Sequence, residues 1–363
     1  MFPLTHLKMD SPYSRELTVA FGALQGAAQL SQSIVSAKDK GVIEKEDLSP
    51  VTVADFAVQA LLTATIKNAF PGDRVVGEED ASDLRKSPVL MERVWELLNR
   101  NAGTQYKLPA TRDQMCDLID ECGSGVPGGQ GSGRTWVFDP IDGTKTYVRG
   151  ELYAINMALL LDGKQVAGIV ACPNMSMDAK APLRNENIDP TGQGCIVFAV
   201  KDHGAYVRPL SGSIADIQPK KLARHAEGQD VRFVTCANIV DSALDGVHEV
   251  VADRLNATYP GCDLVPWVLR WAVLAMGLGN TTVWVYKRKD RYGKAWDHAG
   301  AMLLFEESGG KITDVRGNVI DLSAGRTMSA NFGFIAAPAD IHGRVLQTVH
   351  DVLREQDRQD FFE

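Results

Sequence analysis

Two carboxylates three residues apart, Asp139 and Asp142, close the apolar run in Trp136-Val-Phe-Asp-Pro-Ile-Asp-Gly-Thr-Lys145. The run has the length and composition of a buried strand, and Pro140 and Gly143 predict an abrupt stop. Acids held at a strand end, backed by hydrophobic residues on a tight turn, supply the oxygen ligands that a hard divalent cation such as Mg²⁺ requires. Close carboxylates repel one another unless a cation offsets their charge. A solvated Asp-rich turn is also common, so the pair alone leaves both readings open.

Three further acids stand at element ends. Asp55 closes Ser49-Pro-Val-Thr-Val-Ala-Asp55 and opens an apolar-periodic helix that ends near Pro71. An acid there is also an ordinary cap or dipole partner. Glu78 follows the short apolar strand Arg74-Val-Val-Gly77, with Glu79 and Asp80 behind it, and adjacent acids of this kind also form solvated loops. Asp297, in Lys294-Ala-Trp-Asp-His-Ala-Gly300, precedes a helix over 299–307, again a capping position.

The elements that must carry these residues fall into two patterns. Up to about residue 225, helices are predicted at 12–36, 55–71, 89–101 and 112–122, with Ser11 as the first cap and Pro12 in the first turn. Strands follow at 136–139, 153–161, 165–172, 196–200 and 204–207, and their short turns predict an antiparallel sheet. Beyond that point a strand at 231–236, helices at 245–255 and 267–278, a strand at 282–286 and a last helix at 341–354 alternate. The reading is an α+β domain over 1–225 and an α/β domain over 226–363. The glycine-rich loop 123–133 lacks the Gly-Lys-Ser/Thr of a phosphate-binding loop and reads as a flap beside the site or a plain linker.

Composition narrows the function classes. The 363 residues hold 38 basic and 46 acidic side chains, a net charge of −8. That balance argues against a nucleic-acid partner, whereas an anionic small substrate stays compatible because bound metal changes the local field. Cys116, Cys122, Cys172, Cys195, Cys236 and Cys262 form no Cys-x-x-Cys pair, the pattern of a reduced protein with buried thiols. Residues 1–9 lack a signal-peptide core, and the apolar run 153–161 is too short to cross a bilayer. A soluble, cytoplasmic protein without a membrane partner is expected.

Asp139-Pro-Ile-Asp-Gly-Thr144 resembles the signature of the inositol monophosphatase superfamily of lithium-sensitive, magnesium-dependent phosphatases. Ser49-Pro-Val-Thr-Val-Ala-Asp55, Val75-Val-Gly-Glu-Glu79 and Trp296-Asp-His-Ala-Gly300 resemble its other motifs, in the same order, and the resemblance covers essentially the full chain. It implies a five-layered αβαβα sandwich, of mixed α+β and α/β character, with the active site between two domains. It also implies two to three Mg²⁺ ions on Glu78, Asp139, the carbonyl of Ile141, Asp142 and Asp297. Catalysis would fall to Asp55, Thr144 and Glu78, around a metal-activated water. Substrate would meet Asp142, Gly143, Thr144, Arg270 and Asp297.

Lys145, Arg149-Gly-Glu-Leu-Tyr-Ala154, Ala171-Cys-Pro-Asn174 and the long insert resemble the branch acting on 3′(2′),5′-bisphosphate nucleotides. The implied substrate is adenosine 3′,5′-bisphosphate, giving AMP, with 3′-phosphoadenylyl sulfate as its relative and a link to sulfate assimilation. The chain departs from that branch where a His-Ser pair and an Asp-Ser-x-x-Lys segment are expected. It reads Ala237-Asn-Ile-Val-Asp-Ser-Ala243 and Leu264-Val-Pro-Trp-Val-Leu-Arg270 instead. Arg270 retains the capacity to grip phosphate bidentately, and Trp267 reads either as a base-stacking ring or as core. Another phosphate ester, such as an inositol phosphate, is therefore the alternative. A binding protein that has lost catalysis is opposed by the presence of all five acids and Thr144. The sequence leaves the oligomeric state open.

Overall fold

Leu17, Ala20, Leu24, Ala27 and Ala28 recur at helical spacing, and all five are buried along α1 (Ser14–Val35). The computed structural model describes residues 11–35, 43–44, 50–101, 106–127, 133–184, 188–235, 242–263 and 265–362. Cys236, 237–241, Leu264, 45–49 and part of the glycine loop, 128–132, lie outside the described residues. After α1 come the two-residue strands β1 (Ile43–Glu44) and β2 (Pro50–Val51), then α2 (Val53–Ala69) and β3 (Arg74–Gly77). Three helices follow: α3 (Ser82–Lys86), α4 (Pro88–Asn101) and α5 (Arg112–Ser124). The sheet resumes with β4 (Arg134–Asp142), the short α6 (Thr144–Val148), β5 (Ala154–Leu161) and β6 (Lys164–Cys172). It ends with β7 (Cys195–Val200), β8 (Gly204–Pro209) and β9 (Lys220–Lys221). The remainder holds α7 (Val247–Arg254), α8 (Trp267–Ala275), β10 (Thr282–Trp284), α9 (Ala295–His298) and α10 (Ala301–Glu307). Last come β11 (Gly310–Thr313), β12 (Phe334–Pro338), α11 (His342–Glu355) and a 3₁₀ turn at Gln359–Phe361.

Five layers result. Helices α1 and α2, with α4 and α5 against them, cover one face of a seven-stranded sheet ordered β3-β4-β5-β6-β7-β8-β9. Helices α8 and α10 cover its other face and also meet the three-stranded sheet β10-β12-β11, whose far side carries α11 and α7. Because both faces of the large sheet are covered, its strands are continuous apolar runs. Their alternation divides side chains between two cores: Trp136 and Phe138 point to one, Val137 between them to the other.

The structure departs from the sequence reading in four places. β3 pairs parallel with β4, while the rest of the large sheet is antiparallel as expected; the helices between the two strands provide the crossover. Pro140 does not end β4, which runs on to Asp142 through a register shift. Residues 231–235 form a bridge from Phe233 to Thr281 in place of a full strand. The helix expected over 299–307 is broken at Gly300, whose φ of 75° turns the chain between α9 and α10.

Candidate active site

The register shift in β4 matters for the chemistry. Asp139 lies opposite Asn156 and Asp142 opposite Ala154, so three steps on β4 span two on β5. In a regular strand, residues three apart face opposite sides; one extra residue restores a common side. Pro140, with no N–H to give to the ladder, suits that position. Both carboxylates are thereby delivered to one place, and both are buried.

Each acid is also held by its own element. Asp142 Oδ2 accepts from the N–H groups of Val268 (2.7 Å) and Leu269 (3.2 Å), the first turn of α8, where Pro266 offers no side-chain cap. Gly143, at φ 86°, packs so closely on Pro266 that an added Cβ would stand 2.2 Å from its Cγ. Asp55 is the third helical residue of α2 and forms a capping box with Thr52: its Oδ2 accepts from Thr52 N (2.8 Å) and Thr52 Oγ1 (2.5 Å). Its other oxygen, Oδ1, accepts from Thr144 Oγ1 at 3.4 Å, a hydroxyl that also reaches Ile141 O at 3.3 Å. Asp297 lies on α9, whose Trp296 and Ala299 carbonyls both accept from Asn156 Nδ2, at 2.7 and 2.9 Å. The residue opposite Asp139 therefore anchors Asp297.

Oxygens of Asp139, Asp142 and Asp297 lie within 4.8 Å of one another. Burial raises the Asp139 carboxyl well above the usual carboxylate range, and the charges of Glu78, Asp142 and Asp297 add to the rise. Asp297 is raised well above its ordinary value by burial and by Asp142 and Glu78. Burial pushes Asp142 up to about 7, against the opposing pull of the Leu269 and Val268 N–H groups and of Arg270. Asp139 Oδ1 is buried with no hydrogen-bond partner among the described residues. Crowded acids with an unmet oxygen fit a divalent cation, which takes oxygen ligands and removes the repulsion.

Glu78 follows β3, half-buried and close enough to raise both Asp139 and Asp142. Glu79 is buried, with its backbone N–H and carbonyl tied to the Gln59 side chain. Arg270 is buried on α8, donates to Val265 O (3.1 Å), and its guanidinium carbon lies 4.2 Å from Trp267 and 4.7 Å from Trp284. Trp267 packs on Trp271, Trp284, His298 and Phe334. Sequence reasoning missed Asn156, although a polar residue inside the apolar run Ala154-Ile-Asn-Met was a signal for it. It passed over Arg326 as well, whose guanidinium donates to the Gly77 and Glu78 carbonyls (2.7 and 3.4 Å) and for which the local sequence holds no signal.

Residues 13–354 match the model of the inositol monophosphatase family, and the chain belongs to that family. Within it, likeness to the bisphosphate nucleotidases extends over nearly the whole length. A protein of Emericella nidulans named 3′(2′),5′-bisphosphate nucleotidase is 35% identical over 94% of this chain and 99% of its own. A Schizosaccharomyces pombe protein of the same name is 33% identical over 92% of this chain and 95% of its own. Among solved structures, the IMPase of Thermotoga maritima superposes with a TM-score of 0.56 at 18% identity, covering 94% of this chain and 99% of that one, which shows the shared fold. The five cysteines among the described residues are buried and form no disulfide with one another. No helix among the described residues is long and apolar enough to cross a membrane.

Proposed function

We propose that this protein is a Mg²⁺-dependent phosphomonoesterase that removes the 3′-phosphate of adenosine 3′,5′-bisphosphate, yielding AMP and inorganic phosphate. The convergence of Asp139, Asp142 and Asp297 within 4.8 Å carries the reading. The names of full-length relatives supply the substrate. Glu78, Asp139, the Ile141 carbonyl, Asp142 and Asp297 would hold two to three ions. Bound Mg²⁺ supplies a water of lowered pKa and offsets charge on the leaving oxygen.

The remaining work falls to the chain. The Thr144 hydroxyl, already donating to Asp55 Oδ1, orients the attacking water, and Asp55 receives its proton. Asp55 can serve in this way because its second oxygen is fixed by Thr52. Gly143, Thr144, Asp142 and Asp297 border the transferred phosphate. The P–O bond to the 3′ oxygen breaks as the bond from water forms; the 3′ oxygen leaves as an alkoxide that takes a proton from solvent, and Asp55 returns to solvent the proton it received. 3′-Phosphoadenylyl sulfate is a second substrate in this reading, and the location is cytoplasmic, within sulfate assimilation.

One observation favours a different phosphate ester. Arg270 stands in place of the expected lysine and is enclosed by Trp267 and Trp284. Phosphate release with Mg²⁺ should therefore be compared between adenosine 3′,5′-bisphosphate, inositol 1-phosphate and inositol 1,4-bisphosphate, with and without lithium. Lithium-sensitive release from the nucleotide alone, abolished in Asp142→Asn, is the expected result. Release from an inositol phosphate but not the nucleotide would transfer the assignment to that ester.

A further inference from the structure

We propose that Arg326 is a positioning residue that ties the Glu78 side of the acidic site to the Asp297 side and so sets its affinity for a divalent cation. The inference rests on reading the acidic cluster as a Mg²⁺ site. Arg326 lies between β11 and β12, remote in sequence from every acid of the site. One arm of its guanidinium, Nη2, donates to the carbonyls of Gly77 (2.7 Å) and Glu78 (3.4 Å), the backbone from which the Glu78 side chain projects. The other arm, Nη1, donates to Cys122 O (3.1 Å) and Gly125 O (2.9 Å), where α5 ends and the glycine loop begins.

The same residue reaches Asp297 by two further routes. Its guanidinium carbon stands 4.6 Å from the ring of Trp296, the residue before Asp297. Its own carbonyl accepts from Ala295 N at 2.9 Å, at the start of α9. One planar fork with five donors can hold several carbonyls and a ring face at once; an ammonium cannot. The geometry joins the end of β3, the end of α5 and the start of α9. Those elements carry or adjoin two of the acids on which metal binding is proposed to depend. Its positive charge also lies beside Glu78, Glu79 and Asp80. Residues that orient ligands in this way change metal affinity about 10- to 100-fold when altered.

The test uses the full chain and three variants, Arg326→Lys, Arg326→Ala and Trp296→Leu. Mg²⁺ binding is measured by calorimetry, melting with and without Mg²⁺, and phosphate release across a Mg²⁺ titration. Arg326→Lys keeps the charge and loses the fork, so Mg²⁺ should bind about tenfold more weakly, and excess Mg²⁺ should recover most of the turnover. Trp296→Leu should shift Mg²⁺ binding in the same direction by less. If Arg326→Ala does not fold, Arg326→Lys carries the result alone. Wild-type Mg²⁺ affinity in Arg326→Lys, with only a lower melting temperature, would overturn the proposal and leave Arg326 as a cap for α5. Wild-type protein that binds no Mg²⁺ would overturn the metal reading itself.

Discussion

On one side of Asp142 lie carboxylates crowded within 4.8 Å of one another; on the other lies Arg270, a cation packed between two indole faces. Burial acts on both regions with opposite results. Asp139, Asp142 and Asp297 are pushed toward keeping a proton, whereas His248 and His298, beside the aromatic stack, are pushed toward refusing one. The stack is held by cation on ring, guanidinium on the Val265 carbonyl and ring on ring, although Trp284 Nε1 and His298 Nε2 are buried without a partner among the described residues. The acidic side differs in that its unmet atom, Asp139 Oδ1, sits among like charges that raise its own carboxyl and that a cation would offset. A region that costs stability as it stands is the one expected to gain from a ligand.

The largest way to break the comparison is Asp142→Asn. Asparagine keeps an oxygen for the Val268 and Leu269 N–H groups but removes the charge. Phosphate release should fall on the order of a thousandfold. Metal-free protein should melt at a higher temperature above pH 7, because the buried negative charge that burial opposes is gone. A fall in both activity and metal-free stability would show Asp142 to be a helix cap and little more.

The stack offers a smaller effect with a defined pH window. His248 Nε2 accepts from Val285 N at 3.1 Å, and burial, with the nearby Arg270 charge, lowers its pKa to about 4 from the ordinary 6.5. Between those values the unfolded chain takes up a proton that the folded protein refuses, so stability falls as pH falls and is fully present above 6.5. From pH 6.5 to 5 the loss from this one group is about 1.5 kcal/mol. His248→Gln keeps an acceptor and cannot titrate, so urea unfolding at the two pH values should show a shallower loss by that amount. An unchanged loss would mean that His248 gains its proton in the folded state. Activity per folded molecule should not change, which separates this region from the acidic one.

The acidic region was legible in the sequence because each acid sits in a contiguous segment whose turn and strand residues fix its local geometry. Asp-Pro-Ile-Asp-Gly-Thr contains its own bulge site, its own turn glycine and both acids. The sheet was legible for a related reason, since strands covered on both faces are unbroken apolar runs. What failed was what no window contains. The stack draws His248, Arg270, Trp284, His298 and Phe334 from separate elements, and Arg270 read from its motif alone gave no sign of being enclosed. Pro140 reads as a stop because a missing N–H argues against a ladder; the bulge tolerates it by leaving that position unpaired.

Thr52 gives the smallest effect and the sharpest one, because it belongs to both the fold and the chemistry. Its backbone N–H and hydroxyl both hold Asp55 Oδ2, and its own oxygen accepts from Ala54 N at 3.2 Å. Thr52→Ala should cost about 1 kcal/mol of stability, the usual price of a lost helix cap. If Asp55 were only a cap, turnover at saturating Mg²⁺ would stay at the wild-type level. Since Asp55 Oδ1 faces Thr144, a loosened carboxylate should also lower turnover, and Thr52→Ser, which restores the hydroxyl, should recover both. Turnover unchanged in Thr52→Ala, measured beside a melting curve, would confine Asp55 to capping and remove it from proton transfer.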